Sequence, residues 1–206
     1  MLVQEGKIMN VVGTGGLGYI GSHTCVELLN EGNSVVVIDN LYNSKIEVID
    51  RIEKITDKKI KFYEADCCDK NAVKKVFDEN EIDSVIHFAG YKAVGESVAK
   101  PLMYYENNLK STFVLIEEMI SHSVNTIVFS SSATVYASHN ISPLTEDMDL
   151  SATNPYGQTK LMIEQILKDV SVANEEFNPI LLRYFNPIGA HESGLLGESP
   201  VGIPNN

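Results

Sequence analysis

Short apolar runs alternate along the chain with longer stretches of helical spacing. Ile8–Val12, Ser34–Ile38, Ile60–Ala65, Ser84–Phe88, Thr126–Ser130 and Pro179–Tyr184 read as strands. Between them Ile20–Asn30, Lys45–Ile55, Lys70–Glu79, Pro101–His122 and Tyr156–Asn174 carry helical periodicity. Two of the strand runs, "VIHFAG" and "TIVFSSS", are apolar almost without alternation. A strand covered on both faces reads this way, so the pattern predicts an α/β fold with a parallel sheet flanked by helices. On Pro101–His122, the row Leu102, Leu109, Phe113 and Ile116 is expected to pack on that sheet. No internal repeat or low-complexity segment interrupts the alternation. After Tyr184 the chain turns rich in Gly and Pro, "FNPIGAHESGLLGESPVGIPNN", with no clear element. A loop of about twenty residues leading nowhere is unusual in a compact domain, so a further segment is expected to follow it.

Composition narrows this picture. With 206 residues, 44% hydrophobic and 21% charged, the chain suits one soluble globular domain and the beginning of another. A formal net charge of -12 disfavours nucleic acid and anionic membrane surfaces as partners. An anionic ligand would therefore need local backbone donors. Cys25, Cys67 and Cys68 form neither a disulfide framework nor a metal-ligand spacing. The five histidines show no ligand spacing either, so no metal is expected. No run approaches the ~18 apolar residues of a membrane span, and residues 1–7 carry no apolar signal core, so a cytoplasmic protein is expected.

The first candidate chemistry supplies those donors. "VVGTGGLGYIGSHTC" follows the first strand and opens a helix, with Gly15, Gly18 and Gly21 at three-residue spacing. Such glycines let the backbone turn tightly against a pyrophosphate, to which the first helical amides can donate. The pattern predicts a Rossmann-like, doubly wound sheet. Asp39 ends the second strand, where a carboxylate can bind ribose hydroxyls and would repel a 2′-phosphate, which favours NAD over NADP. Asp66 at the third strand end falls near the adenine, and Phe88, Ala89 and Gly90 at the fourth fall along the diphosphate and ribose.

The second candidate lies downstream. Ser130, Ser131 and Ser132 end the fifth strand, and "TNPYGQTK" opens the last helix with Tyr156 four residues before Lys160. Pro155 suits the first helical position, and Thr153 or Asn154 could cap it. A Tyr–Lys pair at this spacing arises by chance roughly 0.6 times in such a chain, so it gains weight only beside the glycine loop. To act as a base near neutral pH, a phenol must fall by about three units, or roughly 4 kcal/mol. An ammonium about 4 Å away supplies about that at an effective dielectric near 20. Ser132 can hold the substrate hydroxyl while Tyr156 takes its proton and hydride leaves for NAD.

These residues together resemble the extended short-chain dehydrogenase/reductase family, and closely its epimerases acting on UDP-sugars. The resemblance rests on "TGGLGYIGSHT", "DNLYNS", "VIHFAGYKAVGES", "FSSSATVY", "NPYGQTK" and "LLRYFNPIGAHESG", in order, over roughly residues 8–206. It implies an NAD-dependent isomerase of galactose metabolism that interconverts UDP-galactose and UDP-glucose through a 4′-keto sugar. It implies that Ser132, Tyr156 and Lys160 are catalytic. It carries Tyr19, Ile20, Asn40, Leu41, Tyr42, Asn43, Ser44, Cys67, Tyr91, Lys92, Asn107 and Phe185 onto the cofactor, besides the residues above. Lys92, Ser132, Tyr156, Asn186 and Asn206 would contact the sugar nucleotide. A homodimer is implied as possible. By the same resemblance residues 1–7 are a tail, 8–185 an NAD-binding domain, and 186–206 the start of a substrate-binding region whose larger part is missing. The chain is thus expected to bind NAD better than UDP-sugar. Gly13 replaces an apolar residue at the first strand and is expected to weaken it. Ala137 stands where the family usually has Gly and is expected to strain its turn. A non-catalytic NAD-binding scaffold remains an alternative, as does another nucleotide-sugar epimerase or dehydratase. Dehydration needs an acid beside the serine, and Ala133 and Thr134 follow Ser132 instead.

Overall fold

The structure is a computed structural model describing residues 8–199. Six strands form one parallel sheet: β1 (Asn10–Thr14), β2 (Ser34–Asp39), β3 (Lys61–Glu64), β4 (Ser84–His87), β5 (Thr126–Ser132) and β6 (Asn178–Tyr184), in the order β3-β2-β1-β4-β5-β6. The helices are α1 (Tyr19–Asn30), α2 (Glu47–Thr56), α3 (Lys70–Asp78), α4 (Val94–Ala99), α5 (Pro101–Ser121) and α6 (Pro155–Ala173). The order reverses between β1 and β4, which opens a crevice at the carboxyl ends of those strands.

Two apolar cores lie on the two faces of β2. In β2, Val36 and Ile38 pack with Val73, Phe77, Leu115, Met119 and Leu167, from α3, α5 and α6. Val35 and Val37 face the other way, onto Val26 and Leu29 of α1 and Ile52 of α2. Every position of β2 after Ser34 is buried, so no period of two survives there in the sequence. β6 is different. Ile180 and Leu182 are 44% and 39% exposed, while Leu181 packs into the core shared with α6.

Several expectations change here. The first strand lies two residues later than read, because Gly13 and Thr14 stay in register with β2 and β4. Gly13 does not break β1: a Cβ there would meet its nearest neighbour only at 3.9 Å, so the position tolerates Gly without needing it. Ala137 is not strained. It lies outside the positive-φ residues, and its amide donates to the Asp149 carbonyl beside the Tyr136–Leu150 bridge. On α5, Leu102 and Phe113 are 80% and 45% exposed, so the apolar row does not pack on the sheet as a whole. Tyr104, Asn108, Thr112, Leu115 and Met119 face inward instead, a stripe that carries polar residues and so escapes a hydrophobicity reading. The six-residue α4 was too short to show a period.

Among the described residues, the segment after β6 forms no helix or strand up to residue 199 and folds back on the domain. Leu196 is buried against the α1–α2 core, and Arg51 donates to the Leu195 carbonyl at 3.4 Å. No helix among the described residues is long and apolar enough to cross a membrane.

Candidate active site

The glycine loop is built by contact, not composition. Gly15 has φ +66, a backbone region that favours glycine, and a Cβ there would lie 2.8 Å from the Ala89 amide nitrogen. A Cβ on Gly21 would lie 2.5 Å from the Gly15 carbonyl. Gly16, which the three-residue spacing passes over, presses against Val37 just as closely. The N-cap of α1 makes no side-chain hydrogen bond, and no acidic residue occupies its first turn. Those amides and the helix dipole thus face the crevice with no carboxylate of their own, which fits a pyrophosphate.

Asp39 is fixed beside this loop. Its carboxylate accepts from the Leu17 amide at 3.1 Å, the Leu41 amide at 2.9 Å and the Ser44 hydroxyl at 2.7 Å. It is both a capping group and a wall of the crevice. Asp66 also faces the crevice and accepts from the Cys68 amide at 2.8 Å. Burial, with Asp66 next, pushes the Cys68 thiol up to about 11, so it is no nucleophile.

The crevice has a volume of about 540 Å³ and runs the length of the carboxyl edge. Every site position named from the sequence lines it except two. Leu41, at φ 57, turns its side chain into the α1–α2 core, because its backbone must bend to meet Asp39. Asn206 lies outside the described residues. At the far end Lys92 pairs with Glu198 at 3.0 Å.

The reacting end depends on how α6 meets β5. Asn154 is the N-cap, accepting from the Gly157 amide at 2.9 Å, with Pro155 behind it. A Cβ on Gly157 would lie 2.8 Å from the Thr134 carbonyl, so this glycine lets α6 dock on the turn after β5. Tyr156 and Ser132 are thereby brought together, and the Ser132 hydroxyl also accepts from the Thr134 hydroxyl at 3.0 Å. Ser131 is used otherwise: it donates to Glu164 at 2.5 Å, deep under the site.

Lys160 does not form the simple pair with Tyr156 that its spacing suggested. Its ammonium donates to the Ser130 carbonyl at 2.7 Å and lies 5.8 Å from the centroid of the Tyr156 ring. Burial pulls Lys160 down to about 8. Burial also pushes the Tyr156 phenol up, against the hydrogen bond from Ser132, so the expected depression is not present in the chain alone.

Two buried networks behind the site were not visible in the sequence. Asn108 accepts from the Tyr91 amide at 2.8 Å and donates to the Tyr91 carbonyl at 3.1 Å and to Thr159 at 3.0 Å. It ties the segment after β4 to α6. His87 lies between Thr14 at 2.7 Å and Thr112 at 3.1 Å. Burial, then the positive Lys160, pulls this imidazole down to about 3, so it is neutral and structural. The histidine inside the apolar run "VIHFAG" was the only available signal; Asn108 stands among polar neighbours and gave none.

The profile of the NAD dependent epimerase/dehydratase family matches residues 11–198. The chain is 63% identical over 198 residues to a UDP-glucose 4-epimerase of Bacillus subtilis and 59% identical over 199 residues to that of Haemophilus influenzae. Each alignment covers 96% of this chain, and the chain spans 58% and 59% of those relatives' lengths. Among solved structures it is similar to a UDP-glucose 4-epimerase of Bifidobacterium longum in complex with NAD+ and UDP. There the TM-score is 0.94 and the identity 56%, covering 96% of this chain and 59% of that one. With its sheet order, glycine loop and serine–tyrosine–lysine cleft, the chain belongs to the NAD dependent epimerase/dehydratase family.

Proposed function

We propose that the chain carries the cofactor site and catalytic residues of an NAD-dependent UDP-glucose 4-epimerase. The observation that carries this reading is one continuous cleft joining the glycine loop and Asp39 to Ser132, Tyr156 and Lys160. The amides of the α1 N-terminus hold the pyrophosphate, and Asp39 takes the ribose hydroxyls and rejects a 2′-phosphate. NAD, when bound, supplies the acceptor and donor of the hydride that carries UDP-galactose and UDP-glucose through a shared 4′-keto sugar.

The chain's own residues do the rest. Ser132 hydrogen-bonds the sugar oxygen at C4 and orients it. The Tyr156 phenolate takes that hydroxyl's proton and later returns it. Lys160 holds positive charge behind both from its seat on the Ser130 carbonyl. A positively charged ligand ring in the cleft adds to Lys160 and offsets the burial that keeps the phenol neutral in the chain alone. Dehydration is disfavoured, because Ala133 and Thr134 follow Ser132 and offer no acid.

Residues 8–185 form the cofactor domain in this reading, and Asn186 opens the substrate region. Free thiols at Cys25, Cys67 and Cys68 fit a reducing cytoplasm. The net charge of -12 argues against nucleic acid or membrane surfaces as partners. The exposed Leu102, Phe113 and Ile120 on α5 support a homodimer. Turnover of UDP-galactose by the chain supplied with NAD tests the reading. Tyr156→Phe is expected to lower it by roughly 10²–10⁴-fold while NAD binding persists. Turnover unchanged in that variant would refute it.

A further inference from the structure

β2 and β4 flank β1 in the sheet. The segments leaving their carboxyl ends therefore rise on either side of the glycine loop that leaves β1. Tyr42 comes from the first of these segments and Tyr91 from the second. Their rings meet, with centroids 4.9 Å apart and planes at 53°. Both residues line the cleft. In the dinucleotide reading, a cofactor with its pyrophosphate on the α1 amides shares this cleft with the ring pair.

The two rings are held differently. Tyr91 is a fixed post: Asn108 binds both its amide and its carbonyl, and its ring lies 5.5 Å from that of the fully buried Tyr104. Tyr42 is an arm. It is 57% exposed, on a segment pinned to Asp39 at Leu41 and Ser44. A tilted ring pair of this kind is favourable by a small amount, enough to bias the arm closed and weak enough to let it open.

We propose that Tyr42 and Tyr91 form an aromatic clasp that closes over the bound dinucleotide and sets how fast it leaves. This rests on the dinucleotide reading of the cleft and adds to it a residence-time function that belongs to the ring contact, not to either phenol. The hydroxyls are dispensable, and removal of the arm's ring opens the clasp without disturbing the fold.

The test is release of NADH from the purified chain, followed by stopped-flow fluorescence on chasing with excess NAD. Tyr42→Ala is expected to release NADH about tenfold faster. Tyr42→Phe is expected to release it at the wild-type rate. Adding Tyr91→Leu to Tyr42→Ala is expected to change the rate little further, because the contact is already gone. The melting temperature of ligand-free Tyr42→Ala is expected to fall by no more than the few degrees a lost ring contact costs. Wild-type release from Tyr42→Ala overturns the clasp, as do fully additive effects of the two substitutions. A wild-type chain that binds no NADH at all overturns the dinucleotide reading as well, so the two failures are distinguishable.

Discussion

Lys160 shows how far a residue's chemistry depends on where it is buried. Burial draws its ammonium from the model-peptide value of 10.5 to about 8. Near neutral pH the folded chain must therefore carry a buried charge that the unfolded chain keeps in water, at a cost on the order of 3 kcal/mol. Between about pH 8 and 10.5 the unfolded state holds more protons than the folded one, so this cost fades as pH rises. Lys160→Met, without ligand, is expected to be at least as stable as wild type at pH 7, with the gap closing toward pH 10. Denaturant titrations across that range check it, and a variant equally destabilised at every pH would contradict it. A residue that lowers stability yet sits beside Ser132 and Tyr156 fits the catalytic role proposed for it. The sequence marked Lys160 by spacing. It could not show that the lysine's hydrogen bond goes to the Ser130 carbonyl.

Glycines decide whether α1 and α6 reach their stations. Gly21 and Gly15 touch through space that holds no methyl group, and the same holds for Gly157 against the Thr134 carbonyl. Gly21→Ala is expected to cost about 1–3 kcal/mol and to abolish dinucleotide binding, measured by thermal melts and NAD titration. Gly95 is a contrasting case. It lies within α4 with nothing inside 4 Å of its would-be Cβ, so Gly95→Ala is expected to stabilise the fold by roughly 0.5–1 kcal/mol. If both substitutions behave alike, the close contacts are not what the glycines serve. The three-residue glycine spacing was legible in the chain. Gly16 and Gly157 were not, because nothing local distinguishes a glycine in an open helix from one pressed against a backbone.

Across the molecule, one buried group joins three elements at the sheet's last strands. Glu164 on α6, fully buried, accepts two hydrogen bonds from Arg183 of β6, at 3.0 and 2.8 Å, and one from Ser131 of β5. Burial acts to raise its carboxyl, but Arg183 and Ser131 outweigh it and hold it below its usual 4.5. Its contribution is thus present above about pH 4.5 and lost as pH falls through the lower folded value. Glu164→Gln is expected to cost about 3 kcal/mol at pH 7, since Arg183 loses its charged partner. That penalty should shrink below pH 4, and urea unfolding at both pH values checks it. A penalty independent of pH would remove the ion pair from this account.

The alternation of apolar runs with helical periods fixed the class of fold, because a strand buried on both faces and a helix with one apolar stripe leave different local traces. The glycine spacing, Asp39 and the Tyr156–Lys160 interval pointed to the proposed site for the same reason: each is a short-range pattern. What covers what was decided only by the tertiary structure. Leu102 and Phe113 look like core and are exposed; Asn108 and Glu164 look like surface and are buried. A polar side chain can be buried only where partners distant in sequence satisfy it, and those partners exist only once the chain has folded.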